Sequence, residues 1–340
     1  MNNDSDRLKR RQGVLTQLTD PLFTAAGVDV AMLRLDQYDA MLSGNKYFKL
    51  KYNLRQAKAL GCRRIVSFGG AYSNHIHALA LAARAEGLAA VAIIRGEPSA
   101  AANPTLSDAV AAGMQLHFVD RTTYRRRDTP AYRSELGQLY PNSYILPEGG
   151  GNLLGVRGCM DIAALVTEVA GKPFDTVALA VGSGSTLAGM VAGFAVDNNA
   201  TVTELLGISV LKKAYSLDAQ VADYLQQIQC LQAICPAWNP PKWTIDHNFH
   251  CGGYAKVSSP LAQFISYFQQ QHGIVLEPVY TGKLMLALYR LIDRGLMRDK
   301  RLLVVHTGGL QGLRGMRDQL DKYALVPAQE TAIETILRAC

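Results

Sequence analysis

The stretch Thr176-Val177-Ala178-Leu179-Ala180-Val181-Gly182-Ser183-Gly184-Ser185-Thr186 joins an apolar run to a glycine turn and a helix start. Residues 176–181 are continuously apolar or β-branched, which is typical of a strand buried on both faces. Residues 186–194 then read as a helix. This strand–turn–helix unit predicts a parallel sheet that is covered by helices on both sides.

The same unit recurs along the chain. Short β-branched runs at 64–68, 89–94, 115–119, 143–146, 204–209 and 302–305 predict further strands, with helices at 73–86 and 104–112. At 340 residues the chain is long enough for two domains. The pattern is weakest over 215–251, where Pro236, Pro240 and Pro241 interrupt it. The fold class is therefore α/β.

Bulk composition is that of an ordinary enzyme, with 49% apolar and 19% charged residues. The apolar runs are too short to span a bilayer, and the first residues lack a secretory signal, so we expect a cytoplasmic protein. Six scattered cysteines without a Cys-x-x-Cys pair predict reduced thiols. The net charge of +7 comes from short basic clusters without a nucleic-acid motif. We therefore expect neither a nucleic-acid partner nor a membrane.

Three strand-to-helix turns are glycine-rich: 69–70, 182–186 and 308–309. Ligands of open α/β sheets bind at such turns. Residues 182–186 combine outward amides and hydroxyls at a helix start, which suits a phosphate, although tight packing also uses glycine there. Leu187 stands where a dinucleotide fingerprint needs glycine, and no Gly-Lys-Ser/Thr follows the turn. A compact monophosphate fits best.

A reactive lysine is predicted in Ser43-Gly44-Asn45-Lys46-Tyr47-Phe48-Lys49-Leu50-Lys51. With Asn45 as N-cap of a helix to about residue 59, Lys46 is the first helical residue, beside the positive end of the helix dipole. That position and burial lower an ammonium pKa, which makes the amine a nucleophile for a carbonyl cofactor. The alternative is three solvated lysines. An activated lysine with one phosphate site indicates pyridoxal 5′-phosphate.

Six blocks resemble one family in the same order: Gly44-Asn45-Lys46, Gly69-Gly70 with Ser73-Asn74-His75, Pro147-Glu148-Gly149-Gly150, Gly182-Ser183-Gly184-Ser185-Thr186, Pro278-Val279-Tyr280-Thr281-Gly282-Lys283 and His306-Thr307-Gly308-Gly309. The chain resembles the D-cysteine desulfhydrase and 1-aminocyclopropane-1-carboxylate deaminase group of fold type II pyridoxal-phosphate enzymes. The resemblance implies two open, twisted, mostly parallel sheets flanked by helices. It implies a large cofactor-binding domain (1–49 and 156–340), an inserted small domain (50–155) and a homodimer.

The resemblance also implies roles for individual residues. Lys46 carries the Schiff base and then acts as general base. The phosphate is held by Gly182, Ser183, Gly184, Ser185 and Thr186. Asn74 contacts the cofactor's ring hydroxyl, and Thr307 lies near the pyridine ring. The substrate is contacted by Ser73, Asn74, His75 and Tyr254, and the catalytic set also includes Ser73, Tyr280 and Thr281.

Thr281 and Thr307 match the desulfhydrases, whereas the deaminases resemble Tyr-Glu-Gly-Lys and His-Leu-Gly-Gly at these blocks. Neutral threonines give a weaker electron sink, which suffices to eliminate hydrosulfide. We therefore expect a lyase that converts D-cysteine to pyruvate, sulfide and ammonia. A cyclopropane deaminase and a cofactor-bearing amino-acid-binding protein with little turnover stay open. Tyr47, Phe48 and Lys51 depart from the family pattern, which leaves the substrate and its D/L preference undecided.

A metal site is not expected. His247-x-x-His250-Cys251 has superficially metal-like spacing, but no second pair of ligands accompanies it. His75 and His77 are two residues apart on a predicted helix and face different sides.

Overall fold

The computed structural model describes residues 13–39, 41–42, 44–98, 103–197, 202–231, 238–324 and 333–338. The strands are β1 Leu15–Leu18, β2 Asp29–Arg34, β3 Arg64–Gly70, β4 Ala89–Arg95, β5 Met114–Val119, β6 Ser143–Ile145, β7 Phe174–Val181, β8 Val202–Ser209, β9 Lys242–Asp246 and β10 Arg301–His306. The α-helices are α1 Pro21–Ala25, α2 Asn45–Ala59, α3 Asn74–Ala85, α4 Pro104–Ala111, α5 Arg121–Arg125, α6 Pro130–Leu139, α7 Leu153–Val169, α8 Ser185–Val196, α9 Ser216–Leu231, α10 Ser259–His272, α11 Thr281–Asp293, α12 Arg317–Ala324 and α13 Ile333–Arg338.

Within the described residues the strands form two sheets. The larger has the order β1-β2-β10-β7-β8-β9, and only β1 runs antiparallel to its neighbour. The smaller has the order β5-β4-β3-β6 and is parallel throughout. Helices flank both sheets, so the predicted α/β class with two mostly parallel sheets is confirmed.

The centre of the large sheet is buried on both faces, as its sequence predicts. From Thr176 to Val181 every residue of β7 is buried. The following helix α8 is buried at every position from Ser185 to Ala195, as expected for a helix that is apolar all round. This packing fixes the position of the glycine turn between β7 and α8.

Close helix contacts then position α2, which carries Lys46. Gly193 of α8 lies against α7, since a Cβ built on it would be 2.6 Å from Cβ of Ala163. A Cβ on Gly158 of α7 would overlap the carbonyl oxygen of Phe48 in α2. Any larger side chain at these glycines would force the helices apart. The three helices α8, α7 and α2 are therefore stacked in contact, and the start of α2 is held against the turn that begins α8.

All seven predicted strands are present. The pattern missed three: β1 and β9, which are short, partly exposed edge strands, and β2. The poorly patterned region 215–251 contains α9 and β9. The strands of the small sheet all lie between 64 and 145, and those of the large sheet lie on either side in the sequence. The domain boundaries at 49/50 and 155/156 stay a prediction. Ser43 and the basic cluster at 7–11 lie outside the described residues.

No helix in the described ranges combines the length and the apolar character that a membrane crossing requires.

Candidate active site

A cleft of about 940 Å³ opens where the carboxyl ends of the two sheets meet. Its walls include the turns that follow β3, β6, β7 and β10, which contribute Ser73, Gly149, Gly182 and Thr307. The C-terminal ends of parallel strands are the usual ligand sites of α/β proteins. The cleft is thus the candidate active site on topology alone.

Lys46 lies at the start of α2, but one position further into the helix than expected. The N-cap is Gly44, not Asn45, which makes Lys46 the second helical residue. Gly44 has φ of 80°, and a Cβ there would overlap the carbonyl oxygen of Thr307. The Asn45 side chain does not cap the helix because it reaches across the cleft to Thr186 Oγ1 at 3.0 Å.

The amine of Lys46 is in surroundings that disfavour a charge. Its Nζ donates to the carbonyl oxygen of Gly149 at 3.3 Å. Burial, and then the neighbouring charge of Lys49, hold the pKa of Lys46 well below its ordinary value, against a smaller opposing effect of Cys159 and Glu148. A lowered pKa favours the neutral, nucleophilic form of the amine. Burial is therefore the main cause of the lowered pKa.

Lys49 and Lys51, the other two lysines of the stretch 43–51, occupy different surroundings. Lys49 is only 3% exposed and lines the cleft, and burial lowers its pKa as well. Lys51 forms an ion pair with Asp161 of α7. Lys49 therefore belongs to the electrostatics of the site, whereas Lys51 ties α2 to α7.

The turn at 182–186 has the parts of a phosphate cup. Gly182 approaches Tyr280, since a Cβ on it would lie 3.2 Å from the tyrosine ring. Gly184 has φ of 75° and packs against Val221, which excludes a side chain. Helix α8 starts at the next residue, so its free amides face the same space. A compact phosphate fits this cradle.

The hydroxyls of the cup are not equivalent. Ser183 lines the cleft, and its Oγ lies 3.0 Å from Oγ of Ser185. Ser185 itself is fully buried beneath the turn. Thr186 lines the cleft and accepts the hydrogen bond from Asn45. Ser183 and Thr186 are thus the hydroxyls that a phosphate can reach, and Ser185 supports them.

Ser73 and Asn74 begin α3 at the cleft. Ser73 is the N-cap, and its Oγ accepts from the backbone N–H of Ile76 at 3.3 Å. Asn74 accepts a hydrogen bond from the side-chain amide of Gln311, and its Nδ2 lies against Gly309, where a Cβ would be 2.6 Å away. Both side chains line the cleft. The helix start is therefore open to an anion or a ring hydroxyl.

His75 lies behind this wall and does not line the cleft directly. Its Nε2 is 2.8 Å from Ser67 Oγ, and Ser67 donates its own proton to the carbonyl oxygen of Leu146 at 2.9 Å. Nε2 must then carry the imidazole proton, which leaves Nδ1 as an acceptor. Nδ1 is buried and has no hydrogen-bond partner among the described residues. Burial, and then Lys46 and Lys49, lower the pKa of His75.

Tyr254 and Tyr280 form the opposite wall, with ring centroids 6.1 Å apart in an edge-on arrangement. Burial, followed by the influence of Tyr254, raises the pKa of Tyr280 well above its ordinary value. Burial also raises the pKa of Tyr254. Both hydroxyls therefore stay protonated at neutral pH and can donate hydrogen bonds or a proton.

Thr281 does not face the cleft. Its hydroxyl accepts from the backbone N–H of Glu277 at 2.9 Å. Glu277, which sequence reasoning missed, lines the cleft and is 2% exposed. Its carboxylate accepts from the backbone N–H groups of Val279, Tyr280 and Thr281, each at 2.7 Å. Burial raises the pKa of Glu277, and these amides counteract it. The only signal in the sequence was an acidic residue directly before the Pro278 block.

Most of the expected site residues meet at the cleft, namely Lys46, Ser73, Asn74, Gly182, Ser183, Gly184, Thr186, Tyr254, Tyr280 and Thr307. His75, Ser185 and Thr281 lie behind its surface. His247, from the metal-like motif, instead lies 2.7 Å from the carboxylate of Asp218. The cleft therefore combines a lysine with a lowered pKa, a phosphate cup and a glycine-lined wall. A site for pyridoxal phosphate requires these features.

Comparison with known proteins agrees with this geometry. The sequence profile of the family described as pyridoxal-phosphate dependent enzyme matches residues 16–308. A putative 1-aminocyclopropane-1-carboxylate deaminase of Pyrococcus abyssi is 32% identical over 84% of this chain and 86% of its own. A D-cysteine desulfhydrase of Yersinia enterocolitica is 27% identical over 90% of this chain and 93% of its own.

Solved structures show the same relationship. A crystal structure of a homologue of 1-aminocyclopropane-1-carboxylate deaminase superposes with a TM-score of 0.79 at 26% identity, covering 91% of this chain and 93% of that one. The α/β fold with two mostly parallel sheets is therefore shared with that structure. The chain belongs to the family of pyridoxal-phosphate-dependent enzymes.

Proposed function

We propose that the protein eliminates the β-substituent of a small amino acid, with D-cysteine as substrate. In this reaction D-cysteine and water give pyruvate, hydrogen sulfide and ammonia. The observation that carries the proposal is the lowered pKa of Lys46 in a cleft shared with the hydroxyls of Tyr254 and Tyr280. When bound, pyridoxal phosphate supplies the electron sink that acidifies the α-proton of an amino acid.

Different residues of the cleft hold different parts of the cofactor. Lys46 provides the amine for covalent attachment. The turn Gly182, Ser183 and Gly184, supported by Ser185 and Thr186, holds the phosphate at the start of α8. Asn74 hydrogen-bonds the ring hydroxyl, and Thr307 lies beside the pyridine ring.

Other groups act on the substrate. The amides at the start of α3, with Ser73, Asn74 and the backbone of His75, bind its carboxylate. The neutral amine of Lys46 removes the α-proton as general base. Tyr280 keeps its proton because its pKa is raised, and its neutral hydroxyl donates a hydrogen bond to the departing sulfide.

The choice of D-cysteine rests on the match of Thr281 and Thr307 to the desulfhydrases. Of these two residues Thr307 lines the cleft, where it supplies no carboxylate, and a weaker electron sink suffices for a good leaving group. Glu277 favours a second candidate, the deamination of 1-aminocyclopropane-1-carboxylate. Its carboxylate lines the cleft and lies beside Gly309, where a Cβ would be 3.6 Å from Glu277 Cγ. A carboxylate held near the pyridine nitrogen would keep that nitrogen protonated and strengthen the sink.

Product analysis separates these functions. Purified enzyme is incubated with D-cysteine, L-cysteine and 1-aminocyclopropane-1-carboxylate, and pyruvate, sulfide, 2-oxobutanoate and ammonia are measured. We expect equal amounts of pyruvate and sulfide from D-cysteine. Formation of 2-oxobutanoate alone would favour the deaminase. If ligands change the cofactor absorbance and no keto acid forms, the protein is an amino-acid-binding protein that retains the cofactor.

Three further features belong to the proposal. The small domain closes over the cleft and excludes water during the reaction. The protein is a homodimer, which size-exclusion chromatography with light scattering tests. It works in the cytoplasm, which cell fractionation tests.

A further inference from the structure

An arginine projects into the cleft from the end of β4. Arg95 is the last residue of β4 and pairs in register with Gly70, the last residue of β3. Both line the cleft. A Cβ built on Gly70 would lie 3.8 Å from Arg95 Nη2, so the guanidinium lies over the end of β3. The turn that follows leads to Ser73 and the start of α3, where the substrate carboxylate is proposed to bind.

Arg95 differs from the arginine beside it in having no carboxylate partner among the described residues. Arg127 also lines the cleft, and its Nε lies 2.8 Å from Glu148. Both guanidinium groups stack on the ring of Tyr124, at 5.6 Å for Arg95 and 5.0 Å for Arg127. In the described part of the chain Arg95 forms no ion pair, whereas the nearby Arg133 is matched by Asp128. One positive charge at this wall is therefore unbalanced.

This arrangement favours an anionic ligand. Arg95 is exposed, and its guanidinium lies over the buried ring of Tyr124, which favours this position through a cation–π interaction and leaves the hydrogen-bond donors free for an anion. A planar guanidinium binds carboxylate, sulfonate and phosphate with two parallel hydrogen bonds. The amides of α3 already serve the α-carboxylate in the proposed function. The charge of Arg95 is then available for a second anionic group.

We infer that the preferred substrate is an amino acid whose side chain ends in an anionic group, and that Arg95 binds that group. The anion is a carboxylate, a sulfonate or a phosphate. The elimination step and the choice of Arg95 for the side-chain anion both rest on the proposed function, which places the α-carboxylate at α3. D-cysteine is then a small, weakly bound representative of a wider set of β-substituted substrates.

The test compares matched amino acids on three proteins. Wild type, Arg95→Gln and the control Arg84→Gln, which removes an exposed arginine of α3 away from the cleft, are assayed with cysteine, cysteate and O-phosphoserine in both enantiomers. We expect Arg95→Gln to raise KM for the anionic substrates about 10- to 100-fold, the effect of one charge-assisted pair. KM for cysteine should change less than about twofold by the same reasoning, and Arg95→Lys should restore part of the loss.

An equal rise of KM for cysteine and the anionic compounds would overturn the inference, because Arg95 would then bind the α-carboxylate. If Arg95→Gln leaves every KM unchanged, the inference is also overturned, and Arg95 is a solvated arginine without a binding role. Calorimetric titration of the holoenzyme with cysteate and cysteine distinguishes this outcome from failure of the proposed function. If no compound yields product, selective binding of cysteate that Arg95→Gln abolishes still supports the role of Arg95.

Discussion

Two buried polar clusters of this protein differ in how completely they are hydrogen-bonded. In the core beside the large sheet, the Asp20 carboxylate accepts from the hydroxyls of Tyr267 at 3.0 Å and Tyr289 at 2.8 Å and from the backbone N–H of Leu22 at 2.9 Å. His272 Nε2 lies 2.8 Å from the Tyr289 hydroxyl. Each donor has an acceptor, which is the usual condition for a polar group in a core.

The cleft is arranged differently. Lys46, Lys49 and His75 lie close enough that the lysine charges lower the pKa of the histidine, and His75 Nδ1 has no partner within the described residues. Crowding of these groups disfavours their charged forms unless an anion binds beside them. The Asp20 cluster is thus satisfied within the protein, which fits a structural role, whereas the groups around Lys46 favour an anionic ligand.

The largest expected effect separates two lysines in the cleft. Lys46→Ala should lower kcat by about a thousandfold or more, since it removes both the attachment point and the general base. Lys49→Ala should keep the cofactor covalently bound. Borohydride reduction followed by peptide mass spectrometry locates the attachment. Finding the cofactor on Lys49 would show that the assignment of Lys46 is wrong.

Disrupting the fully hydrogen-bonded cluster around Asp20 should lower the free energy of unfolding and leave kcat unchanged. Asp20→Ala leaves two tyrosine hydroxyls and one backbone amide without their acceptor, which should lower the free energy of unfolding by about 3 kcal/mol. The control Asp223→Ala removes an exposed carboxylate and should change it by less than about 0.5 kcal/mol. Urea unfolding measures both. Loss of kcat in folded Asp20→Ala protein would contradict a purely structural role.

The pH dependence of Lys46 tests the unsatisfied cluster. Because its folded-state pKa is lowered, the cofactor-free protein should keep a reactive Lys46 amine at pH values where ordinary lysines are protonated. Lys49→Met removes one cause of the lowering, so the reactivity curve should move to higher pH. Acetylation rates followed by mass spectrometry across pH 6–11 give the curve.

The free energy of unfolding should also depend on pH through the protonation of Lys46. Between the lowered pKa of Lys46 and the ordinary lysine value, the unfolded chain binds more protons than the folded one. Unfolding free energy should therefore rise with pH through this window and fall as pH decreases. Lys49→Met should make this dependence less steep. An unchanged slope would mean that Lys49 contributes neither through its own lowered pKa nor through its charge beside Lys46.

The smallest expected effect concerns Thr281, which sequence reasoning placed among the catalytic residues. Its hydroxyl contacts Glu277 behind the cleft wall. Thr281→Val should cost about 1 kcal/mol of unfolding free energy through one lost hydrogen bond, and Thr281→Ser should restore it. We expect kcat to change less than Tyr280→Phe changes it. If Thr281→Val lowers kcat more than Tyr280→Phe does, Thr281 belongs among the catalytic residues after all.

The sequence predicted the structure correctly wherever neighbouring residues alone showed a clear strand, turn or helix-start pattern. The buried strand β7, its glycine turn and α8 followed from consecutive residues, and so did the presence of a lysine near a helix start. The edge strands β1 and β9 escaped because they are short and partly exposed, so they lack continuous apolar character. The shift of the N-cap from Asn45 to Gly44 depends on Thr307, which is distant in the sequence.

By itself the sequence determined the α/β class, the phosphate cup and the identity of the candidate lysine, because strand burial, glycine turns and helix starts are encoded over a few neighbouring residues. Only the tertiary structure decided that Lys49 is buried beside Lys46 and that Glu277 faces the cleft while Thr281 turns away. It also decided that, within the described ranges, His75 Nδ1 has no hydrogen-bond partner and Arg95 has no carboxylate such as the one beside Arg127. Desolvation and charge pairing depend on which distant segments meet. For this reason they become visible only once the two sheets are folded around the cleft.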